Sequence, residues 1–238
     1  MIKLYQYAPA FGLPNASPFC FKLEAWLHMT GLPFEIQPYD MMQMSKAPKG
    51  KMPFIEDQGQ IVADSSVIID HLTQRYGVTL DDWLQPEQKA VALAFQRLME
   101  DHMYWTGVHN RWMTPTGWQT TRNVFFAKMP ALLKLFVPAL VKRSIRQQLR
   151  GHGMGRHSHA QIVAFGQQDI AAIAHFLGSK PYMMGDQPCS LDAVAYAFIA
   201  NQVAPGVPQS ELTQTARSYP QLVAYCERMR ERYFVYFS

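Results

Sequence analysis

An α+β unit followed by an all-helical one is the fold class this sequence predicts. Two patterns carry it. In the first 80 residues, short alternating runs and capped helices succeed one another as β-α-β and then β-β-α. Beyond a polar, turn-rich stretch at 77–86, helical periodicity runs almost to the end. The contrast predicts two domains, residues 1–76 and 87–238.

The elements follow in order. Residues 2–7, IKLYQY, alternate as a short strand does. After a Gly/Pro/Asn-rich loop, Ser17-Pro18 opens a helix, because serine caps well and proline suits the first helical position. The apolar set Phe21, Ala25, Leu27 and Met29 carries that helix to Gly31, a natural stop. Residues 34–38 read as a second strand. Pro53 to Glu56 is a third, Asp57-Gln58-Gly59-Gln60 a hairpin turn, and Ile61 to Ala63 its partner. Asp64-Ser65-Ser66 caps a further helix containing Val67, Ile68, Ile69 and Leu72. Helices are then expected at 87–112, 125–149, 159–178, 190–203 and 218–233. The segment FFAKMPALLKLFVPALV, 125–141, holds Lys128, Lys134, Pro130 and Pro138. A spanning helix needs about 20 apolar residues with few charges, so the segment reads as a buried helix and not as a transmembrane one.

Composition is that of a globular domain, without repeats or low-complexity runs. The start has no signal-peptide pattern. Three scattered cysteines, Cys20, Cys189 and Cys226, argue against a disulfide framework and for a reducing, cytoplasmic setting. Charge is uneven. Residues 84–160 carry 11 Lys/Arg against 3 Asp/Glu, whereas residues 1–83 carry 6 against 9. A solvated basic face is the plain reading, and no nucleic-acid module accompanies it.

The strand–loop–SPFC–helix start, the KGKMPFIED segment and the ADSS helix cap resemble, in order and spacing, the thioredoxin-like N-terminal domain of the cytosolic glutathione transferase superfamily. The segments GHGMGRHSHAQI, KPYMMGDQPCSLDAVAY and YPQLVAYCERMRERYF are similar to its failed-axon-connections and metaxin-like branch. The resemblance covers nearly the whole chain. It implies a thioredoxin-like domain at 1–76, an all-α C-terminal domain at 87–238, and glutathione as co-substrate. It also implies detoxification chemistry on a hydrophobic small molecule, and a homodimer.

By the same resemblance, Met52-Pro53 would be cis and would present backbone to the cysteinyl part of glutathione. Asp64-Ser65 would take the γ-glutamyl end, the helix N–H groups meeting its carboxylate and the acid its ammonium. The alternative for Asp64 is a simple N-cap. Lys51, and more weakly Lys49, would reach the glycyl carboxylate, unless they are exposed loop lysines.

In SPFC the first residue stands where redox relatives carry their attacking cysteine. A serine hydroxyl cannot ionise at neutral pH or form a disulfide, so dithiol exchange is unavailable there. It can donate a hydrogen bond to the thiolate of bound glutathione and lower its pKa from about 8.5. Ser17 ranks first for this catalytic role and Tyr7 second. Cys20 is third, since a first-turn cysteine between two phenylalanines reads as buried and inert. Pure capping by Ser17 stays open.

His152, His157 and His159 lie in a glycine-rich stretch without a nearby cysteine or carboxylate, so no metal site is assigned. His102 and His109 read as core or surface residues. Tyr104, Trp105, Trp112, Trp118, Phe125 and Phe126 concentrate aromatics where transferases line their electrophile pocket. Plain core is the alternative for them. Asp192 matches the family's buried capping aspartate, with Cys189 in place of the usual hydroxyl residue and Ser190 as an alternative cap. A second class of function, a non-catalytic metaxin-like interaction module, stays open beside the enzyme.

Overall fold

The structure, a computed structural model, describes residues 1–39, 47–127 and 129–235. Lys46 and Lys128 of the segments quoted above lie outside these, as do the last three residues of 87–238.

Strands β1 (Ile2–Gln6), β2 (Phe34–Pro38), β3 (Phe54–Asp57) and β4 (Gln60–Ala63) form one mixed sheet in the order β2-β1-β3-β4. β1 and β2 are parallel, with Leu4 opposite Ile36. A parallel pair needs a crossover, and α1 (Pro18–Thr30) is that crossover. β3 runs antiparallel to both β1 and β4. The hairpin turn is two residues, not four, because Asp57 and Gln60 already pair with each other. Gln58 and Gly59 both take positive φ, 49° and 85°, the backbone that matches the twist of the flanking strands. α2 (Ser65–Tyr76) follows β4.

The helical part departs from expectation twice. The helix expected at 87–112 is α3 (Pro86–Arg97), a π-helical segment (Leu98–Met103) and α4 (Tyr104–Met113). The wider π turn coincides with the burial of Met99, Glu100 and Met103. The helix expected at 125–149 is instead α5 (Pro115–Phe125), a single turn α6 (Ala131–Lys134) and α7 (Val137–His152). Proline is tolerated at helix starts and not inside, and Pro130 caps α6 while Pro138 sits in the first turn of α7. This segment is also not buried as expected. Leu132, Leu135, Phe136 and Leu140 are 50–79% exposed. A 3₁₀ turn (Met154–Arg156) leads into α8 (His159–Leu177), α9 (Ser190–Val203), α10 (Glu211–Arg217) and α11 (Pro220–Tyr233).

One hydrophobic core joins the two parts, from Ile2 and Leu4 in β1 to Phe234 after α11. Its centre is the contact of α1 with α9. Phe21 meets Tyr196 edge-on at 4.9 Å and Phe19 meets Phe198 at 5.5 Å. Trp26, fully buried, donates to Ser190 Oγ at 3.0 Å. Ser190 is thereby engaged, and the cap of α9 falls to Cys189 and Asp192. The Asp192 carboxylate accepts from Met183 N, Cys189 N and Tyr225 Oη at 2.8–2.9 Å.

Inside this core α1 also buries Glu24, whose Oε2 accepts from Gln6 Nε2 at 2.6 Å. Burial pushes its carboxyl up from 4.5 to about 7, against the Gln6 hydrogen bond. The folded chain therefore binds this proton more tightly than the unfolded one. The resulting stability is fully present below pH 4.5 and is lost as pH rises to about 7, a difference of about 3 kcal/mol. Glu24→Gln is expected to flatten that window and to raise stability at pH 8 relative to wild type. Urea unfolding of both proteins at pH 4.5, 6 and 8 checks it, and parallel pH profiles would refute it.

Candidate functional site

The ends of three segments meet at one edge of the sheet. The first is the loop from β1 into α1. Asn15, fully buried, donates through Nδ2 to Tyr7 O at 2.7 Å and accepts from Ser17 N at 3.0 Å. One amide side chain thus ties the end of β1 to the helix cap. Ser17 is half-buried, and its Oγ accepts from Cys20 N at 3.4 Å, a long capping bond. Its hydroxyl also lies beside the Cys20 sulfur.

Cys20 itself is fully buried, with its thiol pushed up to about 12 by that burial, so it is not a nucleophile at neutral pH. The Tyr7 hydroxyl is likewise held well above its ordinary range by burial, with Cys20 and Tyr104 as neighbours. Tyr7 is therefore a neutral phenol.

The second segment is Met52-Pro53, whose peptide bond is cis. Met52 packs in a small cluster with Cys20, Phe54 and Ala63, against which Tyr5 and Tyr7 rest. The third is the start of α2. Asp64 caps it, Oδ1 accepting from Ser66 N at 3.0 Å and Val67 N at 3.4 Å. Asp64 holds φ 90°, unusual for any residue but glycine. Its backbone N donates to Pro53 O at 3.5 Å, which joins the second and third segments. The caps occupy Ser66 and Val67, so among the described residues the Ser65 N–H keeps its bonding capacity at a positive helix end. Lys49 and Lys51 are exposed on the approach.

Sequence reasoning found these positions through local signals. It missed two basic residues that the helical part sets against them. Lys22 in α1 is 1% exposed. It pairs with Glu100 at 2.6 Å and donates to Ser66 Oγ at 2.9 Å. Burial draws its pKa down, with Glu100 opposing. Glu100 also accepts from Gln96 and Arg97. A lysine in a helix otherwise apolar on the same face was the available signal.

Arg111 in α4 donates to Ala16 O at 2.8 Å and to Asn201 Oδ1 at 2.9 Å, and stacks over the Phe11 ring at 5.1 Å. Burial pulls its pKa down to about 10, still fully charged at neutral pH. This guanidinium, with no carboxylate partner among the described residues, clamps the carbonyl directly before Ser17.

The remaining candidates fall elsewhere. His152 stacks on Trp105, His157 packs against Phe165, and His159 lies 3.2 Å from both His109 and Glu211. His102 pairs with Asp169 at 2.7 Å. Trp112, Trp118 and Phe126 belong to a second hydrophobic cluster of the helical part. Tyr104 faces the loop through Phe19, and Phe125 faces it through Phe11.

A thioredoxin-like sheet followed by a helical unit, with two helix N-termini and a cis proline at one edge, defines a glutathione transferase fold. The chain belongs to the glutathione S-transferase family, in its branch with failed axon connections and the metaxins. The family models for the glutathione S-transferase N-terminal domain and C-terminal domain match residues 18–117 and 166–229. Isoprene-epoxide–glutathione S-transferase of Rhodococcus sp. (strain AD45) is 37% identical, over 98% of this chain and 99% of its own. Failed axon connections of Drosophila melanogaster is 31% identical over 98% of this chain, which spans 58% of that protein's length. Metaxin-1 of Homo sapiens is 24% identical over 98% of this chain and 51% of its own. Among solved structures, a glutathione S-transferase of Methylobacterium radiotolerans in complex with glutathione sulfonate superposes with a TM-score of 0.62. It covers 97% of this chain and 91% of its own at 17% identity.

Proposed function

We propose that the chain binds glutathione along the Ser17, Met52-Pro53 and Asp64-Ser65 edge and transfers its thiolate to a small hydrophobic electrophile. The observation that carries this reading is the convergence of two helix N-termini on one backbone edge, tied by the Pro53 O to Asp64 N bond. Asp64 takes the ammonium and the Ser65 N–H the carboxylate of the γ-glutamyl end. Met52 presents backbone to the cysteinyl unit, and Lys51 meets the glycyl carboxylate. Ser17 donates to the thiolate, with Tyr7 as the rival donor.

The sulfur then forms a C–S bond as a leaving group departs. With an epoxide, a C–O bond opens and the freed oxygen takes a proton. An epoxide fits the substrate class in the name of the 37% identical relative. Alternatively, two glutathione thiols reduce a hydroperoxide and leave as the disulfide. We read residues 1–76 and 87–238 as the two domains, the working unit as a homodimer and the setting as cytoplasmic. Among the described residues, no helix is long and apolar enough to cross a membrane.

The test is isothermal titration with glutathione, repeated on Asp64→Ala. Binding by wild type, weakened at least tenfold in the variant, is the expected result. No heat and no thermal protection at millimolar glutathione would overturn it. The second reading, a non-catalytic interaction module like the metaxins, draws on the 24% identity to Metaxin-1 and would then lead.

A further inference from the structure

The apolar side chains exposed around α6 form a continuous patch. Leu132 is 76% exposed, Leu135 79%, Phe136 50% and Leu140 60%. Their spacing of three, one and four residues keeps them on one side across the break between α6 and α7. The patch is rigidly backed. The inner face of α7, with Val141, Ile145 and Leu149, packs on the cluster of Trp112, Trp118 and Phe126. Lys142 reaches over the Trp118 ring at 4.7 Å. Side chains held out by a packed scaffold cannot fold back to hide themselves.

The charge around the patch has one sign. From His102 to Gln168 the chain carries nine Lys/Arg and no Asp or Glu. Arg122, Arg143, Arg146, Arg150 and Arg156 are exposed, and among the described residues none of them forms an ion pair. Arg143, Arg146 and Arg150 continue along α7 from the apolar end.

We propose that this face is a docking surface for an anionic lipid membrane, with Leu132, Leu135, Phe136 and Leu140 entering the interface and the arginines of α7 meeting the headgroups. Apolar residues in the boundary layer and cations at headgroup level are what peripheral binding requires. A second copy of the chain fits less well. A two-fold contact through this face would set its arginines against themselves. Nucleic acid would gain nothing from four protruding aliphatic and aromatic side chains at the centre of the footprint.

Vesicle co-sedimentation of the full chain at low salt tests this. The vesicles are phosphatidylcholine, alone or with about three-tenths phosphatidylserine. Binding to the anionic vesicles at least tenfold tighter than to neutral ones is expected, and it should weaken as salt rises. Arg143→Glu with Arg146→Glu should weaken it about 20-fold or more, since each surface cation contributes about fivefold. Leu135→Ser with Phe136→Ser should weaken it at least tenfold with thermal unfolding unchanged, because both side chains are half exposed or more.

Equal binding to neutral and anionic vesicles, or none to either, would overturn the proposal. So would an apolar double variant that binds vesicles normally, whether it loses concentration-dependent self-association, which would make the face a contact between copies, or shows a raised KM for electrophile, which would make it a substrate cover. Nucleic acid displacing the chain from vesicles while the apolar variant stays fully bound would also overturn it.

Discussion

Lys22→Met is expected to cost about 3 kcal/mol of stability, at the lower end of the range for breaking a buried ion pair. The residue is 1% exposed and its partner Glu100 6%, so the variant leaves a carboxylate in the core between α1 and the π-helical segment. Gln96 and Arg97 still reach Glu100, which softens the loss. Adding Glu100→Leu should recover most of it, because two apolar side chains of similar volume need no desolvated charge. The site responds as well. Lys22 holds Ser66 Oγ, one residue past Ser65, so its removal loosens the start of α2. Urea unfolding measures the first effect and glutathione titration the second. A single variant as stable as wild type would show that the pair is not the pin described here.

Ser17→Ala is expected to lower kcat/KM by about 10²–10³, the scale of one donor aimed at developing or resident negative charge. It should also return the thiol of bound glutathione to about 8.5. The cap itself costs little, since its bond to Cys20 N is already 3.4 Å long. Tyr7→Phe should have a smaller effect, because the Tyr7 hydroxyl is already turned toward Cys20 and Tyr104. Thiolate absorbance near 240 nm, about the usual wavelength for such an anion, followed against pH in wild type and both variants, reads the thiol pKa directly. A shift in Tyr7→Phe and none in Ser17→Ala would exchange their roles.

What could be read from the sequence was whatever local chemistry determines. Ser17-Pro18 and Gly31 bound α1 because a cap, a fixed φ and a left-handed residue act within a turn of themselves. Asp64 and the Gln58-Gly59 turn were legible for the same reason. The π-helical segment was not, since its sequence is good α-helix and only the burial of Glu100 against Lys22, 78 residues away, marks the distortion. Arg111 was hidden likewise, its acceptor lying 95 residues back in a loop. The 125–141 segment was misread because apolar content was equated with burial. Its two prolines divide the segment into α6 and α7, and their outward faces find nothing to cover them.

The contact of α1 with α9 also governs how the protein is made. α1 ends at Thr30 and its cover begins at Ser190, so about 160 residues must be translated between them. At roughly 5–20 residues per second that is about 10–30 s. Throughout, Phe21 and Trp26 emerge from the ribosome with no surface to meet. The sheet-bearing half is thus a nascent chain awaiting its second half. Anything that stalls synthesis before α9 releases a sticky fragment, a client for chaperones and proteases and not a smaller working protein.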